Sequence, residues 1–194
     1  MKPVYVRAGD VFFTRSESVL GKLIRWAETD PDEEPTWANH TGVVVESGWI
    51  GPAGSRVGNL NVPIEQARQA VVVEALWKTR RGPLKVNGID VRVFGPIPNP
   101  TPEELDAFRA EAATYVGDTY GWWKLLFHLA DRAIFKGRKV LSKTLYVDKR
   151  PICSYLAAKV GAVVGLTYGM DPAAATPDEM LDYCESNPDE WVER

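Results

Sequence analysis

The chain is poor in the side chains that most often carry polar chemistry. Of its 194 residues only two are cysteine, Cys153 and Cys184, and only two are histidine, His40 and His128. Two cysteines cannot make the disulfide framework of a small secreted domain. They make no zinc site either, because no second pair and no histidine stands at ligand spacing; no metal and no organic cofactor is expected. No apolar run is long enough to span a bilayer, and the opening MKPVYVRAGD lacks the apolar stretch of a secretory signal. The expectation is a soluble protein of a reducing compartment, cytoplasmic or virus-encoded. A surplus of one charge is missing too. The formal net charge is −3, so no nucleic-acid footprint is expected. The one basic stretch, Lys136 to Arg150, reads as a solvated connector, the alternative being a docking surface for an acidic partner or lipid head groups. Internal repeats and low-complexity blocks are absent.

What is present suits one globular domain, residues 1–194. Hydrophobic residues make up 45% of the chain, seven of them tryptophan, and a chain of this length buries a core without staples. Val4 to Arg7 and Val11 to Thr14 read as short strands around a Gly9-Asp10 turn. Ser16 or Ser18 caps a helix over Val19 to Glu28, with Leu20, Leu23, Ile24 and Ala27 as its apolar face. His40 to Glu46, Val71 to Trp77 and Gly88 to Phe94 are strands. The stretch 47–69 reads as a loop insertion, its part from Ser47 to Asn61 as a long loop or ragged hairpin. Thr101 caps a helix from Pro102 to Tyr115. Further helices are expected from Trp122 to Phe135, from Cys153 to Val164 and after Thr176. Strands cluster early and helices late, so the class is α+β, an antiparallel sheet packed against helices.

The scarcity of histidine shortens the search for chemistry. His128 lies inside an amphipathic helix and reads as a packed helical residue. His40 opens a strand after the polar Trp37-Ala38-Asn39 turn, where a base reaches both a pocket and solvent; the plain alternative is a histidine that caps the turn. Cys153 follows Pro151 at the start of a helix, where unpaired N–H groups and the positive dipole end stabilise a thiolate. The same N–H groups, beginning near Ser154, can hold an oxyanion, and Arg150 stands near. The plain alternative is a buried apolar cysteine. Cys184, between Asp182 and Glu185, reads as structural. A thiol nucleophile needs a base, and the base an orienting partner. Glu74 interrupts the apolar run VVVEAL on the strand expected to pair next to His40. Glu46 shares the face of His40 but lies roughly 20 Å along the same strand. Glu74 is therefore the candidate.

The order GDVFFTRS, NHTGVVVE, VVVEAL, GDTYGWW, ICSYLAAKVG and TPDEML resembles the circularly permuted branch of the NlpC/P60 superfamily of papain-like thiol enzymes, in particular the YiiX/YebB-like group. The resemblance runs from Gly9 to Leu181 and implies a permuted papain-like fold, with histidine ahead of cysteine in the chain. It carries the nucleophile to Cys153 in Cys-Ser-x-Leu (Ser154, Leu156), the base to His40 in His-x-Gly (Gly42) and the third polar residue to Glu74. The Gly-x-x-Tyr element is matched by Gly117 and Tyr120. Tyr155 stands where the family has glutamate, and Gly121 where it has an acidic residue.

The expected activity is hydrolysis of an amide or ester bond through a thioester acyl-enzyme, with Cys153, His40 and Glu74 as the catalytic set. Ser154, Tyr120 and Trp122 are expected at the oxyanion and substrate pocket, and the substrate is a small-molecule, peptide or lipid acyl group. An amine or alcohol acceptor in place of water gives a lipid acyltransferase, or a phospholipase-like enzyme; Trp122 and Trp123 would suit an acyl chain. A catalytically silent binding or assembly module is the alternative of another class.

Overall fold

The computed structural model of the chain describes residues 2–29, 36–57, 62–86, 88–121, 130, 134, 152–173 and 175–194. The strands among them are β1 (Val4–Val6), β2 (Val11–Arg15), β3 (His40–Glu46), β4 (Gly48–Ile50), β5 (Arg56–Val57), β6 (Val62–Pro63), β7 (Val71–Ala75), β8 (Thr79–Pro83), β9 (Asp90–Pro96) and β10 (Trp191–Glu193). The helices are α1 (Val19–Glu28), α2 (Pro102–Thr114), α3 (Cys153–Ala162) and α4 (Pro177–Ser186). Six strands form one antiparallel sheet in the order β10-β9-β2-β3-β7-β8. Helix α3 packs on β3 and β7, and α2 packs on β3. The architecture is α+β, an antiparallel sheet packed against helices.

Successive strand residues point to opposite faces of a sheet. On one face Phe13, Val43, Val73 and Phe94 meet Phe108 of α2, Leu156 and Val160 of α3, and Met180 and Leu181 of α4. On the other, Phe12, Val44, Val72 and Val93 pack with Val6 of β1 and Ile50 of β4. A sheet covered on both faces needs continuous apolar strands rather than alternating ones. That is why β3 and β7 each carry an unbroken run of valine. Each fully buried Val or Phe contributes ~1.5–3 kcal/mol.

Local chemistry sets the helix boundaries. The Ser18 hydroxyl accepts from the Gly21 N–H at the start of α1. Thr101 and Thr176 form reciprocal caps with Glu104 and Glu179, each followed by a proline whose missing N–H costs nothing there. Helix α3 differs: its N-cap is Ile152, and no side chain caps it.

The pairing departs from the sequence reading at the first turn, and the structure adds strands elsewhere. Strands β1 and β2 do flank the Gly9-Asp10 turn, but β1 pairs with β4, and β2 with β3 and β9. Gly9, at φ 95°, makes that separation. The stretch 47–69 carries β4, β5, β6 and a short 3-10 turn at Ile64–Gln66; residues 58–61 within it lie outside the described ones. Strands β8 and β10 close the two edges of the sheet. Of the helix expected from Trp122 to Phe135 only Ala130 and Ile134 are described, both helical. Among the described residues no helix is long and apolar enough to cross a membrane.

Candidate active site

The segment leading into His40 is tied down on two sides. The Asn39 side chain, 3% exposed, donates to the Ser16 carbonyl at 2.9 Å and accepts from the Ser16 N–H at 3.3 Å. Asp178, in the first turn of α4, accepts from the main-chain N–H groups of Trp37 and Ala38 at 2.9 and 3.3 Å. His40 then enters β3 opposite Thr14. Two residues on, Gly42 must be glycine. A Cβ there would stand 2.6 Å from the Phe12 ring and 2.7 Å from the Val73 carbonyl oxygen.

Gly42 pairs with Glu74 across the β3–β7 ladder, which puts His40 and Glu74 on one face, one diagonal step apart. His40 Nε2 lies 2.8 Å from Glu74 Oε2. A carboxylate only accepts, so Nε2 carries the proton, and Nδ1 is the ring nitrogen left for a second partner. Glu74 is 2% exposed. On its other side stands Arg80, its direct cross-strand neighbour on β8, whose Nη2 donates to Glu74 Oε1. Burial pushes the Glu74 carboxyl up, but the hydrogen bond and charge of His40, with the charge of Arg80, hold it below its usual range.

Cys153 is the first residue of α3, buried at 5% exposure. The Tyr120 hydroxyl lies 4.0 Å from its Sγ, and His40 and the main-chain N–H of Thr41 are the other neighbours that act on the thiol. Burial pushes the thiol up, and these partners, His40 foremost, bring it below its ordinary value. For His40 burial works downward, but Cys153 and Glu74 outweigh it and hold the imidazolium up to about 10. The pair therefore favours thiolate and imidazolium over thiol and imidazole.

The sequence-derived candidates thus divide. Cys153, His40 and Glu74 come together in a line, with Tyr120 beside the sulfur. Ser154 is fully buried and its hydroxyl donates to the Ala175 carbonyl at 2.6 Å, so any hold on a ligand falls to its main-chain N–H. Trp122, Trp123, His128 and the basic stretch Lys136 to Arg150 lie outside the described residues. Cys184 is buried in α4, and burial together with Glu185 pushes its thiol well up. Residues not singled out in the sequence are Arg80, Asn39, Asp178 and Thr41. For Arg80 a signal existed: Glu74 and Arg80 are equidistant from Trp77, the centre of a turn.

A cleft of about 540 Å³ opens on this line. His40, Glu74, Arg80 and Tyr120 contribute its polar wall, and Ile24, Leu76, Trp77, Leu84 and Ile89 its apolar one. Cys153 is not among the lining residues and meets the cleft through His40 and Tyr120. Among the described residues no group of three or more His, Cys, Asp and Glu side chains is arranged to hold a metal ion.

No family model matches the chain, and no curated protein matches it. Among solved structures it is similar to the crystal structure of the metalloprotein YiiX from Escherichia coli O157:H7. The identity is 18% and the TM-score 0.49, over 96% of this chain and 87% of that one. What the site can do is set by its own side chains: a thiol drawn below its ordinary value, an imidazole beside it, and a carboxylate hydrogen-bonded to that imidazole.

Proposed function

We propose that the chain is a cysteine-dependent hydrolase of amide or ester bonds, working through a thioester acyl-enzyme. In this reading residues 1–194 form one circularly permuted papain-like domain of the NlpC/P60 type, YiiX/YebB-like, with 47–69 as an insertion. The observation that carries it is the His40–Glu74 hydrogen bond on the wall of the cleft, with the Cys153 thiol beside His40 and drawn below its ordinary value by it.

The Cys153 thiolate attacks the substrate carbonyl carbon, forming the C–S bond while the carbonyl electron pair moves onto oxygen. The oxyanion is held by main-chain N–H groups at the uncapped start of α3, beginning near Ser154, with the Tyr120 hydroxyl beside the sulfur. The C–N or C–O bond then breaks, and the leaving amine or alcohol takes its proton from His40. Neutral His40 next removes a proton from water, the hydroxide adds to the thioester, and the carboxylic acid leaves as Cys153 returns to thiolate. Glu74 keeps Nε2 protonated throughout, so Nδ1 does the proton transfer.

A lipid acyl group with an amine or alcohol acceptor is the second reading, favoured by the apolar wall of Ile24, Leu76, Trp77, Leu84 and Ile89. Both readings share the acyl-enzyme. Incubation with a panel of activated esters of short and long acyl chains, followed by intact-mass and peptide analysis, is expected to find one acyl adduct on Cys153 that Cys153→Ala abolishes. Persistence of turnover in Cys153→Ala would sink the proposal, and a wild-type chain with neither adduct nor turnover would leave a binding module.

A further inference from the structure

Glu74 offers two carboxylate oxygens. Oε2 takes the proton of His40 Nε2, and Oε1 takes Arg80 Nη2. The terminal torsion of a glutamate is broad and roughly two-fold, so a carboxylate held at one oxygen alone can swing the other away from its imidazole. Arg80 closes that freedom from the opposite side. Its place follows from the hairpin register, which sets Arg80 directly across from Glu74. Burial and pairing do not make it a simple stabiliser. Its Nε is buried and has no hydrogen-bond partner, and a buried donor left unpaired costs stability.

Resting on the thiolate–imidazolium reading above, we infer that Arg80 is a positioning residue: it fixes the Glu74 carboxylate on His40 and acts on Cys153 only through that row. Among the described residues the charged and titratable groups facing the row are Cys153 at the start of α3, Tyr120 after α2, Glu74 on β7 and Arg80 on β8. Lys85 is a further cation along the same cleft. Removing the guanidinium withdraws a cation that holds Glu74 ionised. With that carboxylate free to leave His40, the imidazolium is less stable and gives up its proton at lower pH. The alkaline limb of the His40 titration therefore moves down.

The His40 titration, followed through its ring NMR signals from about pH 5 to about pH 11, tests this in the full chain. Arg80→Met is expected to lower the midpoint of that limb by about one pH unit, about ten-fold in the proton affinity of His40. Arg80→Lys, which keeps the charge but loses the planar fork, falls between Arg80→Met and wild type. It also serves if thermal unfolding shows that Arg80→Met does not fold. On a Glu74→Gln background Arg80→Met moves the limb no further, because the transmitting carboxylate is gone. An unmoved limb in Arg80→Met, or a shift of equal size on the Glu74→Gln background, overturns the inference and leaves the proposed chemistry standing. A wild-type Cys153 that labels no faster than an ordinary thiol overturns the chemistry, and the inference with it.

Discussion

The two cysteines are buried to nearly the same degree, 5% exposed for Cys153 and 1% for Cys184, yet their thiols are driven in opposite directions. Burial raises both. At Cys184 the next strongest influence is Glu185, a negative charge that raises it further, and Arg92 only partly counters. At Cys153 His40 leads the opposing influences, followed by the Thr41 N–H and the Tyr120 hydroxyl, and burial is overcome. Position in the helix deepens the contrast. Cys153 is the first residue of a helix that no side chain caps, whereas Cys184 sits inside α4. A thiol becomes a nucleophile through its neighbours, and burial alone makes it inert.

The comparison can be broken or sharpened by substitution. The largest effect belongs to Cys153→Ala, which is expected to remove acyl transfer altogether, a loss of at least about a thousand-fold in kcat/KM. Its melting temperature should stay near that of wild type. Glu74→Gln comes next. His40 holds its proton up to about 10, so the alkaline limb of kcat/KM in wild type is expected there, where the imidazolium is lost. Without the Glu74 carboxylate the imidazolium is less stable, and that limb should fall by roughly one to three pH units. A limb that stays in place would show that His40 does not depend on Glu74.

Smaller effects fall on stability. Gly42→Ala forces a Cβ to 2.6 Å from the Phe12 ring, an overpacking expected to cost about 1–3 kcal/mol in urea unfolding. It should also slow Cys153 labelling, because β3 carries His40. Cys184→Ser places a hydroxyl among Phe13, Phe94, Leu181 and the rest of the helix-covered core. A loss on the order of 1 kcal/mol is expected, with kcat/KM unchanged. Lost activity in Cys184→Ser with stability intact would reverse the roles given to the two thiols.

Much of what places the candidate site is legible in the chain because it is local. The caps at Ser18, Thr101 and Thr176 set three helix starts within one turn of sequence. The valine runs of β3 and β7 mark a sheet covered on both faces, and a single glutamate inside VVVEAL stands out against them. The residues that hold the site in shape were not legible, because their reasons are non-local. Asp178 reaches the main chain before His40 across 140 residues, and nothing near Asp178 announces that contact. Strand β8 reads TRRGP, two charges and two turn residues. As an edge strand only Thr79 of it is buried, so it carries no periodic apolar signal. Strand β10 is three residues long and exists by pairing with β9. The turn at Gly9 is visible in sequence, but the partners it hands the two strands to are chosen by the rest of the sheet.

The most direct test is the rate of iodoacetamide alkylation at Cys153 and Cys184, measured separately in one folded sample across pH. Fast labelling of Cys153 well below about pH 8, slowed in His40→Ala, with Cys184 labelled only on unfolding, is the predicted result. Cys153 labelling as slowly as Cys184, or only after unfolding, would contradict the account.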